Sequence, residues 1–281
     1  MNDLNRILNR LGRMARANLR KAGRLGSGEM VLILLPVFML AGLTGCSQAA
    51  KTPLPEVIIY YDGGAQFELV SPAGTRVMID VAYQAALSSP PTEKDILLTT
   101  HIHNDHLDVA FADKFPGKQL RIEKGEIILP DVSIHSIQGS HNSIPPPEEG
   151  TNYIFVVDMG GLRFAHFGDL GQDRLTQEQL DALGKVDVAF MQFANSFSSM
   201  DASNKKGFNL MDQVKPRLIL PTHIDGDATQ YAVQKWAGFY WDQKSIKLTS
   251  ADLGSETRFL FLGEFAKGSG KIYNVPQWGS P

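Results

Sequence analysis

From residue 57 onward, apolar positions recur in short runs with the two-residue period of half-buried strands: VIIYY (57–61), FELV (67–70) and TRVMID (75–80). DILLTT (95–100) is apolar almost throughout, as expected of a strand covered on both faces. LRIEKGEIILPDVSIHSIQ (120–138) holds two or three more strands, broken at Lys124-Gly125 and Pro130-Asp131. Asn152–Asp158 and Leu162–Phe167 flank Met159-Gly160-Gly161, which reads as a hairpin. The period then changes. LTQEQLDAL (175–183) has helical spacing and a Thr176 N-cap, VDVAFMQF (186–193) is a strand, FNLMDQVK (208–215) a helix and PRLILPTH (216–223) a strand. A helix around 227–239 and a strand at 257–262 complete the series. The pattern predicts one α/β domain over residues 57–281, an αββα sandwich of two mixed sheets with helices on the outer faces.

A different pattern occupies the first part of the chain. MVLILLPVFMLAGL (30–43) is an unbroken apolar run, short for a membrane span and the length of a signal-peptide core. Of the 27 basic and 30 acidic residues, seven and two fall within residues 1–45, so the remainder carries 20 against 28. An acidic body of this kind argues against nucleic acid as a partner. The single cysteine, Cys46, excludes an intrachain disulfide and a cysteine-rich zinc site. It lies directly after the apolar run, in Leu43-Thr44-Gly45-Cys46, which resembles a bacterial lipobox. The resemblance implies a lipoprotein signal peptide over 1–45, lipidation at Cys46 and a tether over 46–56 that holds the domain to a membrane surface. The expected location is the bacterial cell envelope, on the periplasmic side; Ser47 after the cysteine is similar to sorting signals for the outer membrane.

Chemistry concentrates in His101-Ile102-His103-Asn104-Asp105-His106. Alternate residues leaving a strand end place His101 and His103 on one side. A helix is expected next, with Asp105 and His106 turned back towards the same cleft. Three imidazoles and a carboxylate within six residues suit Zn²⁺ or a neighbouring first-row metal. The motif H-x-H-x-D-H resembles that of the metallo-β-lactamase superfamily, and FGDLG…LTQEQLDALGKVDVAFM…KPRLILPTH is most similar to its L-ascorbate-6-phosphate lactonase-like branch.

That resemblance implies three further ligands after strands: His141 in GSHNS, Asp169 in FGDLGQ and His223 in LPTHID. His101, His103 and His141 would hold one divalent ion, and Asp105, His106 and His223 a second, with Asp169 bridging. The expected cofactor is two zinc ions, with manganese or iron as alternatives. The implied activity is hydrolysis by a hydroxide shared between the ions and oriented by the catalytic Asp105. An ester, lactone or phosphodiester in a small-molecule or lipid-derived substrate would fit. The alternatives are a non-catalytic metal-binding envelope lipoprotein and a β-lactamase; the β-lactamase subclass with a cysteine ligand is excluded, because the only cysteine is Cys46.

Around this set, Asp80 and His166 are expected to support the ligands, and His135 to be an ordinary strand residue. Tyr231, Trp236, Phe239, Tyr240 and Trp241 read as core and lid. Where relatives of the lactonase branch often carry a Gly-Gly turn, this chain has Ala194-Asn195-Ser196, expected with Phe197 and Met200 at the pocket mouth. Pro145-Pro146-Pro147-Glu148-Glu149 follows His141 and reads as a stiff rim.

Overall fold

Two sheets account for the strand-forming runs. In the computed structural model, which describes residues 53–144, 151–263 and 273–279, the first sheet is built from β1 (Val57–Gly63), β2 (Gln66–Val70), β3 (Arg76–Ile79), β4 (Ile96–Thr99), β5 (Lys118–Arg121) and β13 (Ser245–Leu248). The second holds β6 (Glu126–Ile128), β7 (Val132–Ser140), β8 (Thr151–Met159), β9 (Leu162–His166), β10 (Val188–Met191), β11 (Leu218–Pro221), β12 (Ala237–Trp241) and β14 (Arg258–Leu262). Their orders are β13-β1-β2-β3-β4-β5 and β12-β14-β11-β10-β9-β8-β7-β6. Both are mixed. β1 to β3 are antiparallel and β3 to β5 parallel; β6 to β9 are antiparallel and β9, β10, β11, β14 and β12 parallel.

The period-two alternation sorts each strand's side chains into layers. Phe155 and Val157 of β8 join Ile59, Phe67, Leu69 and Ile79 of the first sheet in the core between the sheets. Ile154 and Val156, one residue out of phase, face the other way. There they meet the helices α2 (Gln177–Leu183), α3 (Lys206–Val214) and α4 (Gly226–Lys235), through Leu183, Phe208, Leu210, Met211, Ala228 and Ala232. The outer face of the first sheet is covered by the single-turn α1 (Val109–Ala112), where Phe111 packs with Met78 and Leu97. Helix, sheet, sheet, helix is the predicted order of layers.

Local signals set several boundaries. β8 and β9 are joined by Gly160 and Gly161 at φ +58° and +74°, the left-handed pair a two-residue hairpin demands. Thr176 caps α2 in a reciprocal box with Gln179. Two predictions need correction. The helix expected over 227–239 stops at Lys235, because Ala237–Trp241 is drawn into β12 by parallel pairing with β14. The helix expected to carry Asp105 and His106 does not form: a turn closed by His106 N–H to His103 O (3.0 Å) occupies that stretch. α1 begins only at Val109, capped by Asp108, whose side chain accepts from Phe111 N–H.

The topology gathers one set of strand ends. β7 and β9 are each antiparallel to β8, hence parallel to each other, and β9, β10 and β11 run together. The segments following β3, β4, β7, β9, β10 and β11 therefore gather at one edge of the sandwich. Tyr153 N–H donates to Thr100 O (2.9 Å) at that edge and ties one sheet to the other. No helix among the described residues is long and apolar enough to cross a membrane. The signal-peptide segment, Cys46 and the Pro145–Glu149 rim lie outside the described residues.

Candidate metal centre

Each of the seven residues singled out in the sequence arrives at this edge shortly after a strand. His101 follows β4 by two residues, and His103, Asp105 and His106 come from the turn beyond it. His141 directly follows β7, Asp169 follows β9 by three residues and His223 follows β11 by two. The ligand atoms of His101, His103, His141 and Asp169 lie within 4.8 Å of one another, and so do those of Asp105, His106 and His223. Asp169 stands between the sets. Its Oδ2 is 3.6 Å from His101 Nε2 and 3.5 Å from His141 Nε2, while its Oδ1 is 3.2 Å from His106 Nε2 and 3.4 Å from His223 Nε2. One carboxylate thus offers one oxygen to each set.

The hydrogen bonds behind the rings decide which nitrogen is available. Asp80, fully buried, accepts from Thr100 N–H (2.8 Å), Thr100 Oγ1–H (2.8 Å) and His106 Nδ1–H (2.7 Å). With its hydroxyl proton committed to Asp80, Thr100 Oγ1 accepts from His101 Nδ1–H (3.0 Å). Ser198 Oγ donates to Asp169 O (3.1 Å) and faces His141 Nδ1 at 3.5 Å. In all three rings Nδ1 is turned to a partner behind the ring, which directs Nε2 into the cluster. His166 is held differently: its Nδ1 accepts from Gly168 N–H (3.1 Å) and its Nε2 donates to Ala65 O (2.9 Å). It touches no ligand and braces the loop that delivers Asp169. At Gly168 φ is +55°, and a β-carbon there would run into Asn152 Oδ1 and Thr100. His135 is an ordinary strand residue bonded to Ala182 O (3.1 Å).

The electrostatics suit a cation. Burial alone would raise the Asp169 carboxyl, but the His106 and His141 rings outweigh it and hold the group well below the usual carboxylate range. Burial alone would depress His106; the charges of Asp80 and Asp169 overcome this and lift it to about 10. Burial, reinforced by the charge on His106, pushes His101 down to about 3, so this ring is neutral. A proton on His106 is what two buried carboxylates collect when nothing stronger neutralises them, and a divalent ion would displace it. Two buried atoms of the cluster, His141 Nε2 and Asp169 Oδ1, have no hydrogen-bond partner. Orphaned acceptors of this kind, one facing each set, fit metal ions better than they fit each other.

Three contributors were not legible as such in the sequence. Asn195 Nδ2 donates to Asp169 Oδ2 (2.6 Å) and to Gln192 Oε1 (2.8 Å). Asn152 accepts from Asp169 N–H (3.0 Å) and donates to Phe167 O (2.9 Å). Buried Lys206 Nζ donates to Ser143 Oγ (3.0 Å), Gly171 O (2.9 Å) and Ser198 O (3.3 Å), binding together the loops after β7, β9 and β10. Of the three, only Asn195 is expected near the site from the sequence, at its mouth, and no local signal marks Asn152 or Lys206. Of the expected mouth residues, Phe197 stands exposed beside His103, with ring centres 5.9 Å apart, whereas Met200 is buried in the outer core.

The model of the family described as the beta-lactamase superfamily domain matches residues 58–223, from β1 to the last of the seven candidate ligands. The chain belongs to this superfamily. Among curated relatives, a metal-dependent hydrolase of Polynucleobacter asymbioticus is 22% identical over 257 residues, covering 75% of this chain and 88% of its own length. Another metal-dependent hydrolase, from Thermococcus onnurineus, is 23% identical over 195 residues, covering 60% and 85%. A solved structure from Thermotoga maritima, described within the metallo-β-lactamase superfamily, superposes with a TM-score of 0.54 at 18% identity, over 73% of this chain and 99% of that one. These likenesses bear out the αββα fold.

Within the superfamily frame, Asn195 offers a test that leaves every candidate ligand in place. Asn195→Ala removes the donor that fixes Asp169 Oδ2, so metal affinity should fall by about 10–100-fold. Competition with a chromogenic chelator measures it; unchanged affinity would show that Asp169 is held in place without Asn195.

Proposed function

We propose that this superfamily member is a metal-dependent hydrolase that cleaves an ester, lactone or phosphodiester-type bond at the bacterial cell envelope. The observation that carries the hydrolase reading is the division of Asp169, one buried oxygen towards each histidine set. Two divalent ions bound there, zinc or alternatively manganese or iron, would supply a water acidic enough to act as nucleophile near neutral pH and a Lewis acid for the developing oxyanion.

The chain's own carboxylates then divide the work. Asp169 has a side chain only 2% exposed and is committed to binding; the Asp105 side chain is 46% exposed, with Oδ2 3.9 Å from His106 Nε2 and 3.8 Å from His223 Nε2. That exposure supports Asp105 as the residue that would accept a hydrogen bond from the attacking water. The wording of the sequence around Asp169 and His223 supports the lactonase-like branch.

The test is a screen of the metal-loaded mature protein against p-nitrophenyl esters, a lactone, bis(p-nitrophenyl) phosphate and nitrocefin. The expected result is turnover of at least one ester, lactone or phosphodiester, abolished by a chelator and restored by metal. Two tightly bound ions with no turnover would favour a non-catalytic metal-binding lipoprotein, and turnover of nitrocefin alone a β-lactamase.

The envelope location is supported by Leu43-Thr44-Gly45-Cys46 after the apolar run. Cys46→Ser should abolish incorporation of radiolabelled fatty acid and leave an unprocessed precursor. Label persisting in that variant would refute lipidation at Cys46.

A further inference from the structure

Large apolar side chains exposed to solvent are few and unevenly placed. Among the described residues they are Leu54, Tyr83, Ile102, Val109, Ile128, Ile144 and Phe197. Ile102, 74% exposed, lies between the candidate ligands His101 and His103. Ile144, 60% exposed, lies three residues after His141, and Val109 three after His106. Phe197, 80% exposed, lies two residues after Asn195, the donor to Asp169, and its ring stands 5.9 Å from that of His103. Four of seven therefore fall on the segments that build one site. Single exposed apolar residues are ordinary; Phe197, exposed and with its ring against that of a candidate ligand, is the one with a contact to the centre, and such a residue marks what the centre binds.

Charge points the same way. The segments 100–110, 141–144, 168–173, 193–200 and 222–226, which carry the cluster, contain no lysine or arginine. Lys206 Nζ, on the helix that follows residues 193–200, is buried and spent on Ser143 Oγ and two loop carbonyls. On these segments a substrate whose non-reacting part is a phosphate would be met by carboxylates and hydrocarbon, and by no guanidinium or free ammonium among the described residues that carry the cluster.

We infer that the mouth of the site is built for the apolar acyl group of a carboxylic ester or lactone, lying along Phe197 beside His103, with exposed Ile102 on the same ligand-bearing segment as His103. The inference rests on the hydrolase reading and narrows it. In the reaction water adds to the acyl carbon and the acyl–oxygen bond breaks, giving a carboxylate, an alcohol and one released proton.

Alkyl hydroxamates separate the two readings, because the head group reports the metal centre and the tail reports the rim. Acetohydroxamate and octanohydroxamate are titrated calorimetrically into the zinc-loaded mature protein. A fully buried methylene is worth about fourfold in affinity, and roughly twofold when covered on one side, so octanohydroxamate should bind at least about 30-fold more tightly. Phe197→Ser should reduce this ratio below about tenfold, and Phe197→Ser with Ile102→Ser further. Ile128→Ser, an exposed apolar residue on edge strand β6 away from the cluster, should leave the ratio as it was. Equal binding of the two hydroxamates would overturn the inference while the metal centre stood. So would a ratio unchanged by both rim substitutions. Failure of both hydroxamates to bind at all would overturn the metal-centre reading and the inference with it.

Discussion

Asp169→Ala is expected to lose both metal and activity, whereas Asp105→Asn loses activity out of proportion to metal. The difference follows from where the two carboxylates stand. Asp169 is the one candidate ligand with oxygens directed at both histidine sets, and without it the two sets have no anionic partner in common. Metal per chain should fall below about one ion, from the two expected with Asp169 in place, because each remaining set is a ligand short. Asp105→Asn keeps an oxygen that can still ligate, and His101, His103, His141 and Asp169 are untouched. What it weakens is the negative acceptor facing the attacking water, and a group of that kind is worth about 10²–10⁴ in rate. Elemental analysis and turnover on the same preparations separate the cases. Full turnover in Asp105→Asn with full metal would mean that Asp105 does not orient the nucleophile.

Asp80 should show the largest effect on stability. It is fully buried, accepts three hydrogen bonds, and sits at φ +53°, in the left-handed region where Asp and Asn are tolerated and most residues strained. Asp80→Ala leaves Thr100 N–H, Thr100 Oγ1–H and His106 Nδ1 without an acceptor and removes the partner of a charged ring. A loss of about 3–5 kcal/mol is expected, equivalent to a thermal midpoint lower by roughly 10 °C for a domain of this size. Asp80→Asn fits the same backbone and can still accept from Thr100, so it should keep much of that stability. Its amide, however, faces His106 Nδ1 with a donor. The ring must then carry its proton on Nε2, the atom needed for the metal, and affinity should fall by about 10–100-fold. Melting curves of the metal-free variants and chelator competition on the loaded ones test both halves. An Asn variant that binds metal as the parent does would show that Asp80 does not set the His106 tautomer.

Much of the architecture could be read from local pattern, and its failures share a physical origin. VIIYY and the start of VSIHSIQ alternate in burial because one face of each strand is turned to the core between the sheets, whereas VAFM of VDVAFMQF is apolar throughout because both of its faces are covered. His101 to His106 needed no long-range information, being contained in a single turn. The boundary at Lys235 was different: AGFYW continues an acceptable helical pattern and becomes strand only because β14, some twenty residues on, offers a parallel partner. SIKL (245–248) is too short to stand out, and is a strand because β1 pairs with it across nearly the whole domain. The roles of Asn195 and Lys206 are likewise set by register, since a lysine at the start of an apolar helix looks solvated until the fold brings Ser143, Gly171 and Ser198 around its amine. Contacts that depend on distant segments leave no trace in a local window.

The scatter of the cluster along the chain has a consequence for how the protein acquires its ions. Neither histidine set is complete after β4: the first waits for β7 and β9, and the second for β11, which delivers His223. Closing these long loops requires most of the domain to be assembled, so a partly synthesised or unfolded chain offers a metal little beyond the His101–His106 turn. Ion selection is then made where folding finishes. A chain carried to the envelope before it folds would fill its centre from the metals available there, whatever the composition of the compartment in which it was made.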